Sequence, residues 1–484
     1  MSVLSELKPK LVMRYFEEIS AMPHGSGNTD AIADYCVRFA SGRNLECARD
    51  ASNNVIIIKQ ASRGYEDVPA IIVQGHLDMV CEKEPGCEID MEHEGIQLAT
   101  DGEWIWAKGT TLGGDNGIAV AMALALLDRE DIPHPRLEVV LTSDEEIGLI
   151  GASALNTDVL RGRMMLNVDS ENEGILTVSC SGGVRANCRI PVQWEEITGC
   201  VCHINISGLT GGHSGIKIVD GGANANILMG RLLYGLQKEM SIRITQLSGG
   251  MADNAISASC EAKVLVPQEE MQRLRQIVAS YGQTYYDEFS STDPEIRIEC
   301  ISEWVSEQAA LTAEATHRVA SALMLFPNGV QTMSHHIPGL VQTSLNLGVL
   351  RLCNENMIAS FSVRSSAATE KAHLCNRLES LSEAFGGHTD FAGDYPGWAY
   401  KPDSKLRDLV ADVFEKNSGK KAVIEAIHAG LECGIFAGKL PGLDCVSIGP
   451  DMENIHSPAE RLNVASVERT WNLICEVLKR TKEL

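Results

Sequence analysis

The stretch Ile71-Ile72-Val73-Gln74-Gly75-His76-Leu77-Asp78 joins an apolar run to a polar pair. The apolar run is typical of a buried strand. His76 and Asp78 would then lie just past its carboxyl end. Ligands of open α/β sheets bind at that end of the strands. The stretch therefore predicts that His76 holds a metal ion and that other acidic motifs gather around it.

The composition limits the class of protein. The 484 residues are 44% hydrophobic and 22% charged, which predicts a folded chain of about two to four domains. A formal net charge of −24 disfavours nucleic acid and anionic membranes as partners. No signal-type segment opens the sequence, and no apolar run approaches the roughly 18–20 residues of a membrane span. Because the 15 cysteines form no Cys-x-x-Cys framework, we expect a cytoplasmic protein with reduced thiols.

Strand-like and helix-like segments alternate in the first and last parts of the chain. Predicted strands lie at 54–59, 69–73, 136–142, 164–169, 422–427 and 445–448. Predicted helices lie at 4–21, 29–43, 118–128, 404–416 and 464–481. This alternation predicts an α/β domain with a mixed, mostly parallel sheet and helices on both faces.

Residues 186–399 follow a different pattern, in which a helix, a hairpin, a second helix and a strand occur twice in the same order. The first set lies near 222–239, 242–266, 268–289 and 295–301, and the second near 305–326, 341–364, 367–385 and 387–391. We therefore predict an inserted α+β lid domain of two similar halves at 186–399. It would divide a catalytic domain into a first part at 1–185 and a second part at 400–484.

Seven acids and histidines follow apolar runs or lie in glycine-rich turns: His76, Asp78, Asp115, Glu145, Glu146, Asp169 and His456. Taken alone, each is more often a solvated surface residue, a cap or a turn residue in a chain this acidic. Together they are informative, because parallel strands bring their carboxyl ends to one edge of the sheet. Two histidines and three carboxylates can hold two divalent ions through mixed nitrogen and oxygen ligands. Such a set suits Zn²⁺, with Mn²⁺ or Co²⁺ as substitutes.

The adjacent pair Glu145-Glu146 predicts two different roles in one site. Neighbouring side chains of a regular strand point to opposite faces, whereas in a loop one can bind metal while the other approaches the metal-bound water as general base. Asp78 is close enough in sequence to hold the second ring nitrogen of His76. The glycine-rich run at 109–117 lacks the Lys-Ser/Thr of a phosphate loop, which disfavours nucleotide binding.

Several motifs, in the same order, resemble those of the di-zinc aminoacylase and carboxypeptidase superfamily. They are Gly75-His76-Leu77-Asp78, Gly109-Thr110-Thr111 with Asp115-Asn116-Gly117, Asp144-Glu145-Glu146, and His456-Ser457-Pro458. Within this superfamily the chain resembles the aminoacyl-histidine dipeptidases nearly end to end. That likeness includes the stretch Ile427-His428-Ala429-Gly430-Leu431-Glu432-Cys433-Gly434.

The resemblance implies two Zn²⁺ ions per chain, with Mn²⁺ or Co²⁺ as substitutes. One ion would be bound by His76 and Asp169, the other by Glu146 and His456, and Asp115 would bridge both. Glu145 would be the general base, and Asp78 would orient His76.

The resemblance also implies a set of substrate-binding residues in the lid. His213 would stabilise the tetrahedral intermediate, and Asn254, Arg364 and the backbone near Ala429 would hold the substrate. From the residues alone, His213 and Asn254 could equally be turn residues, and Arg364 a surface charge.

The expected activity is hydrolysis of dipeptides of the Xaa-His type, β-alanyl-histidine included, by a hydroxide that bridges two metals. Two alternatives stay open: an N-acyl amino acid deacylase of the same superfamily, and a catalytically silent relative that binds metal or peptide. The long two-part lid and the motif at 427–434 favour the dipeptidase, and Glu145 argues against the silent relative. The oligomeric state is left open between a monomer and a homodimer.

Overall fold

The computed structural model describes residues 2–484, and for residues 302–304 the backbone alone. Its α-helices are α1 (Lys10–Ser20), α2 (Asp30–Ser41), α3 (Gly114–Asp128), α4 (Ile150–Ala154), α5 (Ala225–Glu239), α6 (Met271–Phe289), α7 (Ala313–Leu325), α8 (Ala368–Ala384), α9 (Lys405–Ser418), α10 (Glu432–Lys439) and α11 (Val464–Arg480). In this part of the chain, none of the helices has both the length and the apolar character that crossing a bilayer requires.

The strands fall into three groups along the chain. The first group is β1 (Glu46–Arg49), β2 (Val55–Lys59), β3 (Ile71–His76), β4 (Leu98–Thr100), β5 (Trp104–Ala107), β6 (Leu137–Thr142), β7 (Met164–Asn167) and β8 (Ile175–Cys180). The second is β9 (Gly182–Pro191), β10 (Trp194–Ser207), β11 (Gly212–His213), β12 (Arg243–Gly249), β13 (Ala255–Ile256), β14 (Cys260–Val266), β15 (Arg297–Leu311), β16 (Gly329–Met333), β17 (Val341–Leu352), β18 (Asn356–Ser365) and β19 (His388–Tyr395). The third is β20 (Val423–Ile427), β21 (Asp444–Ser447), β22 (Met452–Glu453) and β23 (Arg461–Asn463).

The chain divides into two compact units. The first unit contains the residues up to Cys180, together with Trp398–Ala426 and Leu431–Leu484. The second contains Ser181–Gly397 and the four residues Ile427–Gly430. The sequence pattern gave no sign that these four residues pack with the second unit.

The main sheet of the first unit has the strand order β1-β2-β6-β3-β7-β21-β8-β20. The four central strands β6, β3, β7 and β21 run parallel to one another. Antiparallel pairings join β1 to β2, β2 to β6, and β21 to β8. Every residue of β2, β3 and β6 is buried, as the β-branched and apolar runs predict. The predicted mixed α/β class is confirmed, with the parallel strands at the centre of the sheet.

The second unit contains an antiparallel sheet of order β15-β10-β14-β12-β17-β18-β9-β19, with β16 paired to β17. The two halves of this sheet have the same topology. Counted from each edge to the centre, β15-β10-β14-β12 and β19-β9-β18-β17 place corresponding strands in the same order. Helices α5 to α8 supply buried side chains such as Leu232, Val278, Val319 and Leu378 to one apolar core with the sheet.

One predicted helix of this unit is wrong in its first part. The helix predicted near 305–326 begins only at Ala313, because the preceding residues form β15, which pairs with β10 along most of its length. The helix start is marked by Thr312, whose side chain accepts a hydrogen bond from the N–H of Ala315. A threonine at this position is a helix-start signal that the sequence already contains.

Candidate active site

Three parallel strands of the first unit carry candidate residues to one edge of the sheet. His76 is the last residue of β3, Asp169 lies two residues after β7, and Glu145 and Glu146 follow β6. Since β3 lies between β6 and β7 and all three are parallel, their carboxyl ends meet. The strand-end pattern predicted this gathering.

Asp115 and His456 reach the same place from other segments. Asp115 lies at the start of α3, where helical dihedral angles begin only after Asn116, and the Asp115–Asn116 peptide bond is cis. His456 lies in the loop between β22 and β23 and has a φ of 59°. Left-handed backbone is uncommon for a residue other than glycine, and it concentrates at functional positions.

Asp115 stands between the two histidines. Its Oδ1 lies 3.1 Å from Nε2 of His76, and its Oδ2 lies 3.3 Å from Nε2 of His456. Oδ1 of Asp169 is 3.4 Å from Nε2 of His76, and Oε1 of Glu146 is 2.9 Å from Nε2 of His456. The donors therefore form two sets that share Asp115. Within each set, the donor atoms lie no more than 4.8 Å apart.

The chemistry of these two donor sets fits divalent metal ions. Imidazole nitrogen combined with carboxylate oxygen is a ligand set for Zn²⁺ and related ions. The side chains of Asp115, Glu146 and Asp169 are only 11%, 8% and 9% exposed. Carboxylates this close and this buried destabilise one another unless protons or cations offset their charge. Two divalent ions would offset it without protonation.

The pKa values of the cluster follow the same electrostatics. Burial, together with neighbouring carboxylates, raises the pKa of Asp169 to about 6. Burial likewise raises the pKa of Glu145 to about 9. Hydrogen bonds to two carboxylates raise the pKa of His456 to about 10. All three groups thus favour protons that a bound cation would displace.

Asp78 joins the His76 strand to the glutamate pair. Its Oδ1 accepts the N–H of Glu145 at 3.0 Å, and its Oδ2 accepts the N–H of Glu146 at 3.2 Å. Nδ1 of His76 lies 3.0 Å from the carbonyl oxygen of Asp78 and 3.4 Å from its Oδ1. A proton on Nδ1 donated to these oxygens leaves the lone pair of Nε2 directed at Asp115 and Asp169. This placement suits a residue that orients His76.

Glu145 lies close to one member of each donor set, His76 of the first and Glu146 of the second. It can offer one carboxylate oxygen within 4.8 Å of donor atoms of His76 and Glu146. Asp144, with a φ of 52°, turns the chain directly before it, and its Oδ1 accepts the N–H of Gly27 at 2.7 Å. The turn lets two consecutive glutamates face one site, which a regular strand would not allow.

Buried residues that sequence reasoning missed support the ligand-bearing strands. Asn116 accepts the N–H of His76 at 3.1 Å and donates to Oδ1 of Asp169 at 3.1 Å. A Cβ at Gly75 would lie 2.4 Å from Oδ1 of this asparagine, so position 75 needs glycine. Glu432, fully buried, accepts hydrogen bonds from Gln74 and Thr142 just below the site. An amide or a distant acid gives no metal-binding signal in the sequence, although both residues lie in stretches that carry the resemblance, Asn116 at 115–117 and Glu432 at 427–434.

His213, Asn254, Arg364 and Ala429, the predicted substrate-binding residues, all lie in the second unit. Nδ1 of His213 accepts the N–H groups of Gly215 and Ile216 at 3.2 and 3.4 Å. A ring nitrogen that accepts leaves the proton of neutral histidine on Nε2. Burial, and then the charge of Arg364, lowers the pKa of His213. His213 therefore presents a neutral Nε2–H donor.

Arg364 combines burial with an unused hydrogen-bond donor. It is 8% exposed, and its Nη1 donates to the Tyr395 hydroxyl at 3.1 Å. Within the described part of the chain, its Nε is buried and has no hydrogen-bond partner. A buried guanidinium with a spare N–H is suited to an anionic ligand.

His428 places a buried imidazole near Arg364 and was missed by sequence reasoning. Its Nε2 lies 2.7 Å from the Ser344 hydroxyl, and burial with the nearby Arg364 lowers its pKa to about 4. The signal for His428 was its place in the stretch 427–434, which carries the resemblance.

Asn254 and Ala429 contribute backbone carbonyls, which accept the N–H groups of Ser214 and Ser181 at 2.8 and 3.0 Å.

Known proteins match this chain over nearly its whole length. The sequence profile of Peptidase family M20/M25/M40 matches residues 72–480. The cytosol non-specific dipeptidase of Escherichia coli (strain K12) is 35% identical over 481 residues, covering 99% of each chain. The crystal structure of aminoacylhistidine dipeptidase from Vibrio alginolyticus superposes with a TM-score of 0.94 and 34% identity, covering 98% of this chain and 97% of that one. Aminopeptidase PepT from Bacillus cereus ATCC 10987, at 15% identity and a TM-score of 0.56 over 98% of this chain and 99% of its own, shares the fold alone.

Proposed function

This chain belongs to Peptidase family M20/M25/M40 and is a hydrolase of peptide bonds, and we propose that it is a two-zinc dipeptidase that cleaves Xaa-His dipeptides, β-alanyl-histidine among them. The observation that carries the proposal is the placement of Asp115, whose two carboxylate oxygens each face a different histidine paired with a further acid. The name of the Escherichia coli relative supports dipeptides as substrates, and the name of the Vibrio relative supports the Xaa-His specificity. The Escherichia coli relative is named a cytosol dipeptidase, which supports a cytoplasmic location. A homodimer stays a prediction.

The two donor sets define which residues would hold the ions. His76 and Asp169 would hold one ion, Glu146 and His456 the other, and Asp115 both. Bound Zn²⁺ supplies a Lewis acid that polarises a carbonyl and acidifies water, and Mn²⁺ or Co²⁺ are expected substitutes. Asp78 would keep the His76 ring in the tautomer that presents a lone pair on Nε2.

The remaining residues would move protons and hold the dipeptide. Glu145 would take a proton from the attacking water and deliver it to the leaving amine. The Nε2–H of His213 would donate to the oxygen of the scissile carbonyl as negative charge develops on it. Arg364 would pair with the terminal carboxylate of the substrate, and Asn254 and the backbone at Ala429 would complete its binding.

A substrate panel on the Zn²⁺-loaded protein tests this function. We expect release of free histidine from Xaa-His dipeptides and from β-alanyl-histidine, and much slower cleavage of N-acetyl-histidine. The readout is amino acid release measured by chromatography. Faster cleavage of N-acyl amino acids than of dipeptides would assign the deacylase activity instead. Failure to cleave any dipeptide would exclude the proposed function.

Replacing Arg364 by alanine is expected to impair substrate binding in a way that depends on the substrate carboxylate. A charge-assisted hydrogen bond contributes about 1.5–3 kcal/mol, so KM for free dipeptides should rise about 10–100-fold. Dipeptide amides lack that carboxylate, so their kcat/KM should change little. Arg377, exposed on α8, is the matched control, and Arg377→Ala should leave both substrates unaffected. Equal losses with acid and amide substrates would contradict the assignment.

A further inference from the structure

We propose that Glu460 is a positioning residue that fixes the distance between the Asp115 and His456 ligands, an inference that rests on the proposed two-metal function. Its Oε2 accepts the N–H groups of Leu112 and Gly113 at 2.8 and 3.1 Å. Its Oε1 accepts those of Gly114 and Asp115 at 2.8 and 3.4 Å. One carboxylate thus binds four consecutive backbone donors, the last of which belongs to the shared metal ligand.

The segment before α3 is shaped to receive this carboxylate. Gly113 has a φ of 63°, and successive N–H groups around such a left-handed residue form a concave anion site. A Cβ at Gly114 would lie 3.2 Å from Oε1 of Glu460, and a Cβ at Gly113 would lie 2.7 Å from Sδ of Met79. Glycine at both positions therefore allows the backbone to approach the acid closely. Glu460 itself is 2% exposed, so solvent does not compete for these bonds.

Glu460 also lies at the end of the loop that carries His456, four residues farther along the chain. This loop is held internally, because the Ser457 hydroxyl donates to the Asn454 carbonyl at 2.7 Å and the N–H of Glu460 donates to the Ser457 carbonyl at 3.0 Å. A change in the position of the Glu460 carboxylate would therefore be transmitted to His456 at one end and to the Asp115 backbone at the other. Asp115 and His456 belong together to the second donor set.

Two substitutions separate the charge of the Glu460 side chain from its length. In Glu460→Gln, the amide NH₂ would replace one of the two accepting oxygens and would face two backbone N–H groups, so half of the contacts would become repulsive. In Glu460→Asp, the charge is kept and the reach is shortened by one methylene group. Both variants change the spacing between the segment 112–115 and the loop that carries His456. Neither variant removes a metal ligand.

Titration of the metal-free protein with Zn²⁺ by calorimetry tests the proposal without substrate. Loss of a residue that supports a metal ligand lowers metal affinity about 10–100-fold, and we expect that loss for the second ion in Glu460→Gln, with the first ion much less affected. The affinity of Glu460→Asp for the second ion should lie between that of Glu460→Gln and that of the wild type. With Mn²⁺ in place of Zn²⁺, the spin coupling between two neighbouring ions should be weakened in the same order.

The control is Glu453→Gln, an exposed acid nearby in the sequence that pairs with Arg461. It should bind both ions as the wild type does. Wild-type affinities in both Glu460 variants, or equal weakening of both ions accompanied by a lower free energy of unfolding, would overturn the positioning role. A wild-type protein that binds a single ion would instead overturn the two-metal centre and this role with it. Binding of two ions without dipeptide cleavage would reject the proposed substrate only.

Discussion

Replacing Glu145 by glutamine is expected to lower kcat/KM for a dipeptide about 10²–10⁴-fold, because this is the usual contribution of a general base. Glutamine preserves the size of the side chain but cannot accept a proton from the attacking water. The backbone should keep its place, since the Glu145 N–H donates to Asp78 at 3.0 Å whatever the side chain is. The metal content per chain should therefore equal that of the wild type, as measured by elemental analysis beside the kinetics.

The neighbouring residue provides the sharpest control for this result. Glu146 lies 2.9 Å from Nε2 of His456 and belongs to the second donor set, so Glu146→Gln should lose metal as well as activity. Glu94, an exposed acid, should tolerate the same substitution without either effect. Wild-type activity in Glu145→Gln would remove this residue as the base. A loss of metal in the same variant would make it a ligand.

The sequence was sufficient to predict that most of the candidate residues gather at one edge of the sheet, for a physical reason. Buried parallel strands are mostly apolar runs, so β3, β6 and β7 could be identified, and each is followed by an acid or ends in histidine. Parallel pairing then places those residues together. The ligand assignments came from the resemblance, because nothing in the spacing of Glu145 and Glu146 tells which of the two binds metal.

The parts that could not be predicted depend on contacts between distant segments. The carboxylate of Glu460 binds backbone N–H groups at 112–115, and a backbone group carries no residue-specific signal. His428 lies in a four-residue segment that packs with the second unit although its neighbours in sequence belong to the first. The helix predicted from residue 305 failed because pairing of β15 with β10 overrides a local pattern that fits a helix.

Replacing Asp115 by alanine is expected to have the widest effect of any single change at the site. Its two oxygens lie 3.1 and 3.3 Å from the two histidines, so alanine removes one donor from each set at once. Metal ions contribute several kcal/mol to such reactions, and a loss of about 4 kcal/mol corresponds to about a 10³-fold decrease in kcat/KM. Glu145→Gln and Asp115→Ala would both be nearly inactive, but only Asp115→Ala would be depleted of both ions.

Stability measurements separate the loss of metal from a general loss of structure. An ion that binds only the folded state raises the free energy of unfolding by about 2.7 kcal/mol when its free concentration is 100 times its Kd. The wild type should gain this stability with added Zn²⁺, whereas Asp115→Ala should gain almost none at the same concentration. Chemical denaturation with and without the ion measures the difference, and Asp67→Ala, at an exposed acid, should respond as the wild type does. Undiminished stabilisation of Asp115→Ala by Zn²⁺ would contradict the shared-ligand role, because the carboxylate would then be dispensable to both donor sets.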